Sequence, residues 1–138
     1  MTGFVLDASA TMRWCFDRGS HPYPDAVLQR LGAPSERAFV PILWRYEVSA
    51  VLALAQKNGI VQAAVTQAFL AALDALPITV DPASGGRVLS DVHQLAVAHG
   101  LTSYDAAYLE LARRLGLPIA TLDTDLAKAC QTAGVALL

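Results

Sequence analysis

The sequence predicts an α/β fold in three layers: a mainly parallel central sheet of about five strands, flanked by helices on both faces, with a helical hairpin arm. Three observations predict it. Short apolar runs alternate with longer stretches whose apolar residues recur at helical spacing, the order a parallel sheet with crossover helices requires. Asp7 and Asp123 close two of those runs, at the carboxyl edge where open α/β sheets bind ligands. Two strong helical patterns are separated only by a turn at Asn58-Gly59, which makes them a hairpin.

Taken in order, Gly3-Phe-Val-Leu-Asp7 reads as a buried strand, and Asp7-Ala8-Ser9 starts a helix carrying Met12, Trp14, Cys15 and Phe16. A turn-rich connection from Gly19 to Pro24 leads to a short helix through Ala26, Val27 and Leu31, stopped by Gly32 and Pro34. Ala38-Phe-Val-Pro41 is the second strand. The helix from Leu43 to Asn58 has Leu43, Val48, Val51, Leu52 and Ala55 apolar, and Glu47 shares a face with Leu43, Ala50, Val51 and Leu54. Val61 to Leu76 is the returning, alanine-rich helix. Pro77 to Asp81 reads as a third strand and Ser84 to His99 as a helix with Gly85 and Gly86 at its start. Thr102 or Ser103 caps a helix in which Tyr104, Ala107, Tyr108, Leu111 and Leu115 recur until Gly116 and Pro118 stop it, with Asp105 in its first turn. Pro118 to Leu122 is a short buried strand, Thr124 to Ala133 a helix ended by Gly134, and Val135 to Leu138 a final strand.

With 138 residues the chain fits a single domain, 1–138, long enough to bury a core without staples. A net charge of −2 argues against nucleic-acid binding through overall basicity and leaves room for a local patch or bound cations. Cys15 and Cys130 have no zinc spacing and read as small hydrophobes in a reducing cytosol. His93 and His99 fall on different sides of a helix, so no two-histidine metal site is expected. The amino terminus lacks the pattern of a signal peptide, and no apolar run approaches the ~20 residues that span a bilayer, so a cytoplasmic protein without membrane attachment is expected. Its 54% apolar content exceeds what a monomer needs and points to a dimer contact or a partner's groove, assigned to the Leu43–Leu76 hairpin.

The chemistry lies in the acids. Asp7 and Asp123 at strand ends, with Glu47 and Asp105 near the starts of helices at the same edge, bring four carboxylates towards one place. Singly, Asp7 and Asp123 also read as helix caps and Asp105 as part of a capping box with Thr102. Glu47, inside a helix on an apolar face, costs several kcal/mol in desolvation unless it is paired, metal-bound or protonated. Together the four repel unless a cation neutralises them, and oxygen-only donors select Mg²⁺ or Mn²⁺. Such ions support phosphodiester hydrolysis.

These residues carry a resemblance. FVLDAS with Asp7 and Ser9, the helix WRYEVSAVL with Glu47, and LTSYDAAYLELARRLGLPIATLD with Asp105 and Asp123 together resemble the PIN domain, in particular the short VapC-type toxins of bacterial and archaeal toxin–antitoxin pairs. The resemblance runs the length of the chain. It implies a Mg²⁺-dependent (or Mn²⁺-dependent) endoribonuclease that cuts structured RNA of the tRNA or ribosomal class, acts as a homodimer and is neutralised by a cognate antitoxin. It also implies that Asp7, Glu47, Asp105 and Asp123 form the metal pocket, with Ser9 supporting Asp7 and Asp125 either assisting the metal or serving as a first-turn helix residue. Lysine is scarce, so RNA contact is expected to lean on arginines, of which Arg13 and Arg45 lie near the site.

Two alternatives stand beside this reading. A catalytically silent PIN-like module would bind RNA or an antitoxin without cutting. A phosphatase of the haloacid-dehalogenase type would use Asp7 as nucleophile and Asp123 and Asp125 for metal, but Ala8-Ser9 follows Asp7 where that chemistry wants a second acid two positions on.

Overall fold

The structure, a computed structural model, describes residues 2–16, 19 and 21–138. A four-stranded parallel sheet lies at its centre in the order β3-β2-β1-β4, formed by β1 (Phe4–Leu6), β2 (Ala38–Val40), β3 (Ile78–Val80) and β4 (Ile119–Ala120). β1 pairs Phe4 with Ala38 on one side and Val5 with Ile119 on the other. Its residues Phe4, Val5 and Leu6 are wholly buried, because a strand covered on both faces has no side on which to place a polar residue.

Helices connect and cover the strands: α1 (Ala8–Met12), α2 (Pro22–Arg30), α3 (Ile42–Lys57), α4 (Ala63–Asp74), α5 (His93–His99), α6 (Ser103–Leu115) and α7 (Thr124–Ala133). The hairpin is α3 and α4. α2 starts at Pro22, inside the stretch expected to be a connection, since Pro22 and Pro24 fall in a first turn that needs no N–H from them. Trp14 then donates its indole N–H to the Pro24 carbonyl at 2.9 Å. α1 stops at Met12 and continues as tight turns through Phe16, so the expected longer helix is not formed; Asp17, Arg18 and Ser20 lie outside the described residues.

Three further expectations are corrected. The fifth strand is reduced to one parallel bridge, Ile119 to Leu137. Its first residue is taken by the preceding helix: with Gly134 left-handed at φ 74°, the Val135 N–H closes α7 on the Cys130 carbonyl at 2.8 Å. The stretch from Ser84 to His99 is no uniform α-helix. It runs as a 3-10 turn (Gly85–Arg87), a π-helical turn (Val88–Val92) and then α5, as two poor helix formers at its start allow. Finally, the buried face of α3 is Trp44, Val48, Leu52 and Ala55, while Val51 and Leu54 on the expected face are 41% and 59% exposed. Packing against α1 decides this: the Trp44 indole N–H donates to the Thr11 hydroxyl at 3.0 Å, and that hydroxyl donates to the Asp7 carbonyl at 3.2 Å.

α6 is the central helix, buried without a break from Ala106 to Ala112. Glu110 lies in that run and is matched by Arg114 at 2.7 Å and Arg87 at 3.5 Å. Arg114 also reaches Asp81 at 2.7 Å, which ties the end of β3 to α6. A charge this deep is tolerated because it is paired and hydrogen-bonded.

Candidate metal and nuclease site

Asp7 follows β1, and its extended backbone (φ −80°, ψ 148°) turns the chain into α1. Its side chain makes no capping bond to that helix, so the capping explanation fails here. Instead Oδ2 accepts from the Ser9 hydroxyl at 2.8 Å and from the Thr121 hydroxyl at 2.6 Å. Each hydroxyl, its proton spent on Asp7, accepts a backbone N–H in turn: Leu122 to Ser9 at 2.9 Å and Asp123 to Thr121 at 3.0 Å. The ends of β1 and β4 are thereby locked together around one carboxylate. Asp7 is 4% exposed, and burial pushes its carboxyl up despite the two hydroxyls, with the Asp123 charge adding to the rise.

Asp123 caps α7 by accepting the Leu126 N–H on Oδ1 at 2.9 Å, so capping and proximity to Asp7 coexist in one residue. Asp105 is different. Thr102 caps α6 by accepting the Asp105 N–H at 3.1 Å, and the Asp105 carboxyl lies within electrostatic reach of the other acids. Burial first, and then the charges of Asp123, Asp7, Glu47 and Asp125, push that carboxyl up to about 6. Glu47 accepts the Tyr108 hydroxyl on Oε1 at 2.5 Å; burial pushes its carboxyl up, the phenol pulls it down, and Asp7 pushes it up again. Burial, and next the neighbouring Glu47 charge, keep the Tyr108 phenol protonated as the donor.

The structure thus brings Asp7, Glu47, Asp105 and Asp123 into one electrostatic field, with Asp125, exposed in the first turn of α7, at its rim. Among the described residues no three acidic, histidine or cysteine side chains stand close enough to grip a single ion. The donors at this edge are all carboxylate oxygens, the set that hard divalent ions such as Mg²⁺ take, where zinc favours nitrogen and sulfur. Mutually repelling, oxygen-only donors suit the same ion.

The two arginines part company. Arg13 is the C-cap of α1, close in the chain to Asp7, and partly buried. Arg45 pairs with Asp74 on α4 at 3.8 Å, both side chains exposed. Sequence reasoning assigned no role to Thr121, Thr11 or the Tyr108 hydroxyl. For Thr121 the signal was a hydroxyl two positions before Asp123; for Tyr108, an aromatic carrying a polar atom at a position that otherwise only fills the core. Trp14, Trp44 and Tyr108 are buried as expected of core aromatics, whereas Tyr104 is 62% exposed.

A family model described as the PIN domain matches residues 4–131. Over 45 residues the chain is 49% identical to Ribonuclease VapC3 of Pyrobaculum aerophilum, an alignment covering 33% of this chain and 34% of that protein. The chain therefore spans about a third of that relative's length. The crystal structure of PAE2754 from Pyrobaculum aerophilum superposes with a TM-score of 0.67 at 26% identity, over 93% of this chain and 79% of that one.

Proposed function

The chain belongs to the PIN domain family, and from that membership we propose that it is a Mg²⁺-dependent endoribonuclease toxin, with Mn²⁺ able to replace Mg²⁺. Its substrate is structured RNA of the tRNA or ribosomal class, and a cognate antitoxin neutralises it. The whole chain acts as one PIN-like domain, in the cytoplasm, as a homodimer. The relative named as a VapC ribonuclease supports the toxin reading. The observation that carries the nuclease reading is the field of four carboxylates around Asp105, a repulsion that a bound cation relieves.

The ion would sit among Asp7, Glu47, Asp105 and Asp123, bound directly by one or two of them and through its waters by the rest, with Ser9 and Thr121 orienting Asp7 and Asp125 adding negative charge at the rim. A bound divalent ion supplies Lewis acidity towards a phosphate oxygen and lowers the pKa of a water. The chain's own part is positioning. The paired hydroxyls on Oδ2 hold Asp7 in one orientation, and burial of the strand ends keeps bulk water from competing for it. Arg13 beside α1 and Arg45 on α3 serve as phosphate contacts; the exposed Arg45–Asp74 pair is worth at most about 1 kcal/mol and yields readily to a phosphate. The haloacid-dehalogenase alternative drops out with the family assignment.

The test is cleavage of a mixed tRNA and ribosomal RNA pool by antitoxin-free protein with Mg²⁺, with Mn²⁺ and with chelator. Discrete products are expected only with metal, and Asp7→Asn should lower the rate at least about 100-fold while the protein stays folded. Products that persist with chelator or in Asp7→Asn would overturn the metal-nuclease reading. An inert wild type would favour the silent binding module.

A further inference from the structure

Three acids of the cluster are anchored, each differently. Asp7 has two hydroxyls on one oxygen, and Asp123 has the α7 N–H of Leu126. Glu47 has the Tyr108 hydroxyl at 2.5 Å, from a residue 61 positions away on another helix. Glutamate has more rotatable bonds than aspartate, so it needs an anchor most if its carboxylate is to stand ready for a cation.

The environment of Tyr108 is informative. Its ring is wholly buried in the main core beside Leu109 and Leu111, where a phenylalanine would fill the same space. Its hydroxyl is the part that packing does not need, and it is spent on Glu47. The same end of α3 is held a second time, through the backbone side, by the Trp44–Thr11–Asp7 chain of hydrogen bonds. Trp44 is one turn before Glu47, so the helix is fixed by the indole and the carboxylate by the phenol.

We propose that Tyr108 is a positioning residue for Glu47: its buried O–H fixes one oxygen of the glutamate, Oε1, and so presents a preorganised carboxylate to a divalent cation. This rests on the reading of Glu47 as part of the metal pocket. Hydrogen-bond partners of metal-binding carboxylates commonly contribute 10–100-fold in metal affinity, about the size expected here.

The experiment is Mn²⁺ binding measured by calorimetry on RNA-free protein, for wild type, Tyr108→Phe, Glu47→Gln and the double variant, with thermal melting of each apo protein. Tyr108→Phe is expected to melt within a few degrees of wild type and to bind Mn²⁺ about 10–100-fold more weakly. In the cleavage assay, excess Mn²⁺ should restore much of its rate. In the Glu47→Gln background the same change should cost nothing further, because there is no carboxylate left to position. Unchanged Mn²⁺ affinity in Tyr108→Phe beside a large loss in Glu47→Gln would overturn the positioning role and leave the metal pocket standing. Equal affinity in wild type and Glu47→Gln would remove Glu47 from the pocket and the proposal with it. A Tyr108→Phe protein that fails to fold, or losses that simply add in the double variant, would make the hydroxyl a structural contact and also overturn it.

Discussion

Asp105 is held protonated up to about pH 6 in the folded protein, against an ordinary value of 3.8. The folded state therefore binds more protons than the unfolded chain between those two values, and its stability falls as pH rises through that window. Burial likewise raises Asp7 and Glu47, which act with the same sign. In chelator, the melting temperature is expected to be higher at pH 5 than at pH 7, and Asp105→Asn should flatten that slope. Mg²⁺ should reverse it by stabilising the charged carboxylates. A chelated wild type whose melting temperature rose from pH 5 to pH 7 would mean that the acids do not repel one another as placed.

Among the secondary-structure elements, β1 holds the site at its carboxyl end and depends on a close approach at its start. A Cβ on Gly3 would stand 2.4 Å from the Arg37 carbonyl oxygen, on the segment leading into β2. Since Phe4 donates its N–H to that same oxygen at 3.2 Å, the two chains cannot separate without losing the bond. Gly3→Ala is expected to cost about 1–3 kcal/mol, read as a lower urea midpoint at unchanged m-value. Gly86→Ala is the control. Nothing lies within 4 Å of the Cβ it would add, and it should be neutral or stabilise by up to about 1 kcal/mol. Equal effects of the two would mean that the β1–β2 contact is soft.

Across the whole molecule, the apolar excess is only partly on the hairpin. Tyr46, Leu54, Ile60 and Val65 are each at least half exposed there, but so are Leu89 at 94% and Val97 at 71%, outside it. Exposed apolar residues thus lie both on the hairpin and outside it. No helix among the described residues is long and apolar enough to cross a membrane. Sizing of the purified protein is expected to give a dimer, and Leu54→Asp with Ile60→Asp should shift it towards monomer if the hairpin is the seam. A dimer untouched by those changes but split by Leu89→Asp would move the seam to the π-helical stretch.

Local chemistry in the sequence was enough for the alternation of strands and helices, the bounds of α6 and α7, and the placement of Asp7 directly after β1, because periodicity, caps and glycine stops act over a few residues. β4, by contrast, ends at Ala120 and leaves Asp123 to cap α7. Where neighbours competed, local reading failed: Val135 served the α7 cap rather than a fifth strand, and α3 turned a different face inward to meet Thr11. The carboxylate cluster was legible as a list of residues, but its anchors were not. Thr121 reaches Asp7 across 114 positions, and Tyr108 reaches Glu47 across 61. Hydrogen bonds between residues so distant carry no period in the sequence. They exist only once the sheet order and the packing of α3 against α6 bring the groups within reach, which is why the sequence named the acids and only the tertiary structure decided what holds them.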